Sequence, residues 1–295
     1  MKMSKILKRI GIVLGTLVLL VVIAAGSFLF IGNGKFNKSY QIEPLMMTIP
    51  TDDASLERGQ HLVKAVGVCS DCHGDDLAGT MFFDDPGLVT IPAPNLTSGA
   101  GGVSAIYTDS DWVLALRHGV GADGRGLLFM PSQHYAHFSD EDLGAMIAYL
   151  KTLPAVDNAF SARSARPPLK LLLGLGIIPM PVDIIDHMVP PTAPVPSPNA
   201  AYGEHLVTVS ICKDCHGPKL AGATDPNAPQ GPNLTPGGEL QSWSEDDFFS
   251  AMRSGIVPSG RILNSNEMPW NQYSNMTDEE LQAIWAFLSS LEAMD

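Results

Sequence analysis

Residues 10–31 read IGIVLGTLVLLVVIAAGSFLFI, 22 positions without a charge, broken only by Thr16, Ser27 and glycines. At 1.5 Å per residue such a helix spans roughly 33 Å, about one bilayer core. Every charge before it is positive: Lys2, Lys5, Lys8 and Arg9. That polarity predicts a cytoplasmic tip over residues 1–9, a transmembrane anchor over 10–31, and a body on the far side of the membrane. Ala24-Ala25-Gly26 offers a competing reading as a signal-peptide cleavage site. The apolar run continues through Phe28, Leu29, Phe30 and Ile31, however, and a single-pass anchor is the expectation.

Beyond the anchor the apolar positions change to helical spacing. Leu143, Met146, Ile147 and Leu150 recur at three and four residues, as do Leu281, Ile284, Trp285 and Leu288. Ser139-Asp-Glu-Asp142 and Thr277-Asp-Glu-Glu280 precede these runs, a hydroxyl cap followed by acids suited to a helix N-terminus. Thr108-Asp-Ser-Asp111 and Ser244-Glu-Asp-Asp247 give the same signal. Sustained strand alternation is missing, so the pattern predicts an all-α fold.

The body repeats itself. RGQHLVKAVGVCSDCHG from Arg58 is answered by YGEHLVTVSICKDCHG from Tyr202, and APNLT from Ala93 by GPNLT from Gly231. YTDSDWVLALRHG from Tyr107 is answered by WSEDDFFSAMRSG from Trp243. MPSQHYAHFSDEDLGAMIAYL from Met130 pairs without a gap with MPWNQYSNMTDEELQAIWAFL from Met268. These landmarks divide the chain into one unit over 52–154 and a second over 199–295. The connector 155–198 holds nine prolines, which break regular structure. Within it LKLLLGLGII, Leu169 to Ile178, is too short to span a bilayer; it is expected to pack against the domains, or to meet a membrane surface or partner.

Charge narrows the class of partner. The chain has 18 basic and 31 acidic residues, and from residue 10 onward 14 basic residues face 31 acidic ones. A body that acidic is a poor nucleic-acid binder and suits a partner with a basic face. Units of about 100 residues with a few short helices rarely close a good core unaided.

The four cysteines explain what fills it. All lie in two copies of C-x-x-C-H: Cys69-Ser-Asp-Cys72-His73 and Cys212-Lys-Asp-Cys215-His216. This is the pattern of covalent c-type haem attachment. Two thiols three positions apart on a helical turn reach the two vinyl groups of one porphyrin, and the adjacent histidine turns its imidazole onto the iron. A thioredoxin-like site would need a βαβ setting, and a disulfide would leave His73 and His216 unexplained.

With these motifs in hand, each half resembles a class I cytochrome c: an N-terminal helix, C-x-x-C-H, a Pro-Asn-Leu segment, a distal methionine and a C-terminal helix. The resemblance covers both repeats. It implies a small helical fold wrapped around haem, the helix near Gly59 crossing that near Leu143 and the helix near Gly203 crossing that near Leu281. It implies two covalently bound haem c groups, on Cys69 and Cys72 and on Cys212 and Cys215, with His73 and His216 as proximal iron ligands. Met130 and Met268, each before a proline at the same repeat position, are the expected distal ligands. His118, His134 and His137 could compete for the first iron, but have no histidine counterpart in the second unit. Pro94 and Pro232 are expected to orient the proximal imidazoles through their carbonyls. Arg125 and Arg261 repeat at a Gly-Arg step and could pair with propionates. Tyr135 and Tyr273 repeat too, for propionate contact or for packing.

The expected function is electron transfer between extracytoplasmic redox proteins by a dihaem cytochrome tethered to the cytoplasmic membrane, with its haem domains in the periplasm. The resemblance extends to cytochrome subunits that serve dehydrogenases or oxidases. Those of alcohol and gluconate dehydrogenases typically carry three haems, whereas this chain has two C-x-x-C-H motifs. A dihaem peroxidase is the alternative, although the near-symmetry of the two units argues against one specialised catalytic iron.

Overall fold

A computed structural model describes residues 2–45, 47–189, 191–223 and 230–294, with backbone alone for residues 2–4. Pro190, one of the connector prolines, lies outside the described residues. The uncharged run forms the middle of one long helix, α1 (Lys2–Asn37). Thr16 and Ser27 donate their hydroxyls to Ile12 O and Ile23 O one turn back, so the run presents no unpaired side-chain donor. Among the described residues α1 alone is long and apolar enough to cross a membrane.

The first half contains α2 (Asp53–His61), α3 (Cys69–His73), α4 (Asp109–His118), α5 (Ser132–Tyr135) and α6 (Asp140–Lys151). α2 runs on into a wider turn, Leu62–Val66, closed by the Gly67 amide on Leu62 O at 2.7 Å. The first repeat is one residue longer than the second between its His-Leu-Val and its first cysteine, and a turn of five-residue spacing absorbs one extra residue. The connector supplies α7 (Pro167–Leu175) and α8 (Pro181–Ile184). The second half contains α9 (Ala200–Val209), α10 (Cys212–His216), α11 (Glu245–Ser254), α12 (Trp270–Tyr273) and α13 (Asp278–Ser290). Thr108, Ser139, Ser244 and Thr277 all cap helices, and three of them close reciprocal boxes with Asp111, Asp247 and Glu280.

The all-α expectation needs correction. A three-stranded antiparallel sheet joins β1 (Thr80–Asp85), β2 (Val89–Ala93) and β3 (Ser164–Ala165). Phe83 faces Ile91, Asp85 faces Val89, and Val89 faces Ala165 on the other side. Asp85-Pro86-Gly87-Leu88 makes the turn: Leu88 N donates to Asp85 O at 3.0 Å and Gly87 N to Asp85 Oδ1 at 2.7 Å. Val89, Ile91 and Ala93 are buried with Thr90 and Pro92 between them, a two-residue period too short to stand out beside the helices. In the second half, residues 224–229 lie outside the described residues.

Each half crosses its first and last helices at a glycine. A methyl on Gly59 would overlap the carbonyl of Ala145, and one on Gly203 the carbonyl of Ala283, so the backbones touch there. The core runs continuously from Leu62, Leu143 and Met146 of the first half to Leu206, Leu281 and Ile284 of the second. A second cluster gathers Leu169 and Leu173 of α7 with Phe36 of α1 and Val89 and Ile91 of β2.

Candidate functional site

Each C-x-x-C-H motif is held by backbone that the sequence alone would disfavour. Val68 (φ 43°) and Ile211 (φ 55°), just before the first cysteines, are left-handed, as are Leu77 (φ 57°) and Leu220 (φ 59°) just after the motifs. Such a conformation costs a branched residue about 1–3 kcal/mol and persists where the surroundings enforce it. Here the phenols of Tyr135 and Tyr273 donate to Gly67 O at 2.5 Å and Ser210 O at 2.7 Å, the carbonyls preceding the strained residues. Both tyrosines line the cavity and give their one hydroxyl proton to the backbone. Gly79 N and Gly222 N close the far side on His73 O and His216 O, at 2.8 and 2.9 Å.

No disulfide joins any of the four cysteines. Burial pushes Cys69 and Cys212 up to about 12 and Cys72 up to about 11. His73 and His216 are buried, and their Nδ1 atoms lie 2.8 Å from Pro94 O and Pro232 O. A carbonyl can only accept, so Nδ1 carries the proton and Nε2 keeps its lone pair. Burial lowers both imidazole pKa values and the carbonyls oppose it, leaving the neutral form a metal needs. The two Pro-Asn-Leu-Thr segments are themselves fixed: Asn95 Nδ2 donates to Val156 O at 2.7 Å, and Asn233 Nδ2 to Met294 O at 2.6 Å.

Met130 and Met268 lie on the loops that lead into α5 and α12. A matched pair of arginines ties α4 and α11 to the start of the last helix in each half. Arg117 donates to Phe138 O at 2.9 Å and to Asp140 at 2.5 Å, and Arg253 to Ser274 O, to Met276 O at 2.5 Å and to Asp278 at 2.6 Å. The methionine loops are thus spanned by an ion pair in each half.

Both attachment motifs and both methionines meet one cavity of about 1390 Å³. Cys69, Cys72, His73, Pro94, Arg125 and Met130 line it from the first half, and Cys212, Cys215, His216, Pro232, Arg261 and Met268 from the second. That exceeds the roughly 300–1,000 Å³ of a pocket for one small molecule. Its wall suits two large, mostly apolar groups with carboxylate edges: the Trp112 indole N–H, buried and lining the cavity, has no partner within the protein. Arg125 is already paired to Asp123 at 2.6 Å, while Arg261 is exposed. Sequence reasoning missed Arg163, a connector residue on the same wall. It donates to Gly126 O at 2.6 Å and Phe36 O at 3.0 Å, its Nε is unpartnered, and burial lowers its pKa. Nothing in its local sequence marks it, because the connector brings it back only in the fold.

His118, His134 and His137 are not on the cavity wall. His118 lies 2.9 Å from His187 of the connector, and burial with that neighbour lowers it to about 4. His134 crosses to the other half, where its Nε2 donates to Asp214, between the second pair of cysteines, at 2.7 Å. The reciprocal bond exists: Gln272, the counterpart of His134, donates to Asp71, between the first pair, at 2.5 Å. Glu280 adds a buried cross-link, 2.8 Å from His61 and 3.4 Å from Arg58.

The sequence has recognisable relatives. The family described as "Cytochrome C oxidase, cbb3-type, subunit III" matches residues 54–150, and "Cytochrome c" matches residues 200–292. An alcohol dehydrogenase (quinone) cytochrome c subunit of Gluconacetobacter polyoxogenes is 28% identical, over 84% of this chain and 58% of its own. A fructose dehydrogenase cytochrome subunit of Gluconobacter japonicus is 28% identical, over 81% of this chain and 53% of its own. A diheme cytochrome c-type protein of Cereibacter sphaeroides is 26% identical, over 97% of this chain and 100% of its own. The chain thus spans little more than half the length of the dehydrogenase subunits.

Proposed function

We propose, for a chain that belongs to the c-type cytochromes and carries two covalently bound haem c groups, that it relays electrons between extracytoplasmic redox proteins while tethered to the cytoplasmic membrane by α1. Cys69 and Cys72 hold one haem and Cys212 and Cys215 the other, in domains spanning 52–154 and 199–295. His73 with Met130, and His216 with Met268, are the iron ligands. Bound there, haem c would supply reversible one-electron chemistry, held by the two cysteines, the histidine and the methionine of each half.

The protein's own part is positioning and exclusion. Pro94 and Pro232 hold the imidazoles in one tautomer through 2.8 Å bonds. The apolar wall keeps water away, which with the methionine thioethers favours a raised potential. Trp112 and Arg163 offer donors to the carboxylate edge of the first group, and Arg261 to that of the second.

The single observation behind the relay is the continuity of the cavity: both attachment motifs and both methionine loops open onto one space that crosses between the halves. The partner is a dehydrogenase, an oxidase or another cytochrome, presenting a basic face to a body with 14 basic and 31 acidic residues beyond the tip. The names of the relatives support a dehydrogenase, and the full-length match to a diheme cytochrome supports a chain that works with two haems. Potentiometric titration of the purified full-length protein should give two reversible one-electron waves, and peroxide with a reduced donor should not be turned over. Steady peroxide reduction would replace the relay with an enzyme.

A further inference from the structure

We propose that the end of α7 and the turn after it, Leu175 to Ile178, form a foot that dips into the lipid bilayer beside α1. This rests on the tethering by α1 proposed above and adds a second contact with the membrane.

The depth follows from two glycines. A methyl on Gly32 of α1 would overlap the carbonyl of Lys170, and one on Gly174 of α7 would overlap the carbonyl of Phe28. The two backbones therefore touch through a reciprocal notch, the kind of close approach small residues give helices in membranes. The pairing also fixes direction. Descending α1 from Gly32 to Phe28 advances along α7 from Lys170 to Gly174, so the helices are antiparallel. Phe28 lies within the uncharged run, which ends at Ile31, and the first polar side chain beyond it is Asn33. By helical rise Gly174 sits about 7 Å deeper than Asn33. Interfacial elements embed their apolar faces about 5–10 Å.

The chain then stops its descent. Left-handed Gly176 (φ 75°) caps α7: its amide donates to Leu173 O at 3.1 Å and that of Ile177 to Leu172 O at 3.0 Å. At this depth Leu175 is 45% exposed and Ile177 60% exposed, whereas Leu169 and Leu173 on the inner face are fully buried. Apolar side chains left uncovered at the level of the acyl chains are matched by lipid.

Charge agrees with this placement. From residue 158 to 182 there is no Asp or Glu, in a body otherwise rich in them; Arg163 is turned to the cavity, and Arg166 and Lys170 remain. Lys170 lies level with Gly32, and by the same register Arg166 is one turn higher, near Phe36. Basic groups at headgroup depth favour anionic lipid. Because α7 shares one buried cluster with Val89 and Ile91 of β2, the foot and α1 together hold the first half at a set height and tilt.

The test uses full-length holoprotein in nanodiscs of phosphatidylethanolamine and phosphatidylglycerol, which leave both membrane faces open. New cysteines at Leu175→Cys, Ile177→Cys, Val21→Cys and Ile262→Cys are treated with a membrane-impermeant maleimide. Val21 (67% exposed, in α1) and Ile262 (69% exposed, in the second half) are controls. Haem content of two per chain verifies folding of each variant. A lipid with a diazirine on its acyl chain maps direct contacts by mass spectrometry. Expected are labelling at 175 and 177 at least about tenfold slower than at 262, and lipid adducts on residues 175–178. Protection at 21 with fast labelling at 177 and no adducts there overturns the foot and leaves the tether standing. Fast labelling at 21, with no adducts in 10–31, removes the tether and the foot with it. Protection at 177 without lipid adducts, together with bismaleimide-linked dimers of Ile177→Cys, assigns the patch to a second copy and overturns the proposal.

Discussion

A carbonyl 2.8 Å from Nδ1 does more than orient His73 and His216. It selects the tautomer, and burial keeps the ring neutral, so one lone pair is presented in one direction. On the proposed reading the opposite face depends on Met130 and Met268. If both sulfurs bind iron, the ferric protein shows a far-red sulfur-to-iron band that falls by about half in each of Met130→Ala and Met268→Ala and is lost in the double variant. An unchanged band in both would assign the ligands elsewhere. The tyrosines give a prediction of another kind. Tyr135→Phe strands the buried carbonyl of Gly67 next to the strained Val68, a loss of about 1–3 kcal/mol. Thermal melts should show that loss, with two haems still attached; Tyr273→Phe should do the same through Ser210.

Elements carry the next set of consequences. The helix crossings at Gly59 and Gly203 leave no room for a side chain, so Gly59→Ala should destabilise by at least about 1–3 kcal/mol through overpacking, read in denaturant unfolding. The caps, the paired motifs and the last helices were legible because each is written in consecutive residues: a hydroxyl and acids start a helix, and covalent attachment forces a fixed C-x-x-C-H spacing. The sheet was not, because β1 and β2 are five or six residues long and β3 is two residues of the connector. Arg163 and the left-handed Val68 were illegible for the same reason, since tertiary neighbours and not local sequence place them. Glu280, at the start of α13, shows what such neighbours do to a charge. Burial raises its pKa, but hydrogen bonds and charge from His61, with Thr277 and Arg58, outweigh it and hold the group below its ordinary 4.5. A lowered folded pKa contributes stability above the unfolded value, and that contribution fades as pH falls through the folded one. The melting temperature should therefore drop on acidification below about pH 4.5, and Glu280→Gln should flatten that part of the profile.

At the scale of the molecule the question is what makes two repeats one body. The repeats alone predict two self-contained domains on a proline-rich tether, and that arrangement would unfold in two steps. The structure instead locks each cysteine pair to the short helix after the methionine of the other half, His134 of α5 to Asp214 and Gln272 of α12 to Asp71. Hydrogen bonds to carboxylates are worth about 1.5–3 kcal/mol each when partly buried, and both sit beside a shared apolar core. Coupling of that size is enough to merge the transitions of two small domains whose own stabilities differ by a few kcal/mol. The wild-type holoprotein should then unfold in urea as a single transition followed at both haems. His134→Ala and Gln272→Ala remove one link each from opposite halves, and their double variant should split the curve into two steps or lower the cooperativity of unfolding. Because the two bonds lie on the same interface, the losses should not add: breaking the first already loosens what the second holds. A double variant that keeps one transition, with a midpoint shift equal to the sum of the singles, would show that the shared core and the Glu280 cross-link join the halves and that the reciprocal bonds only decorate them.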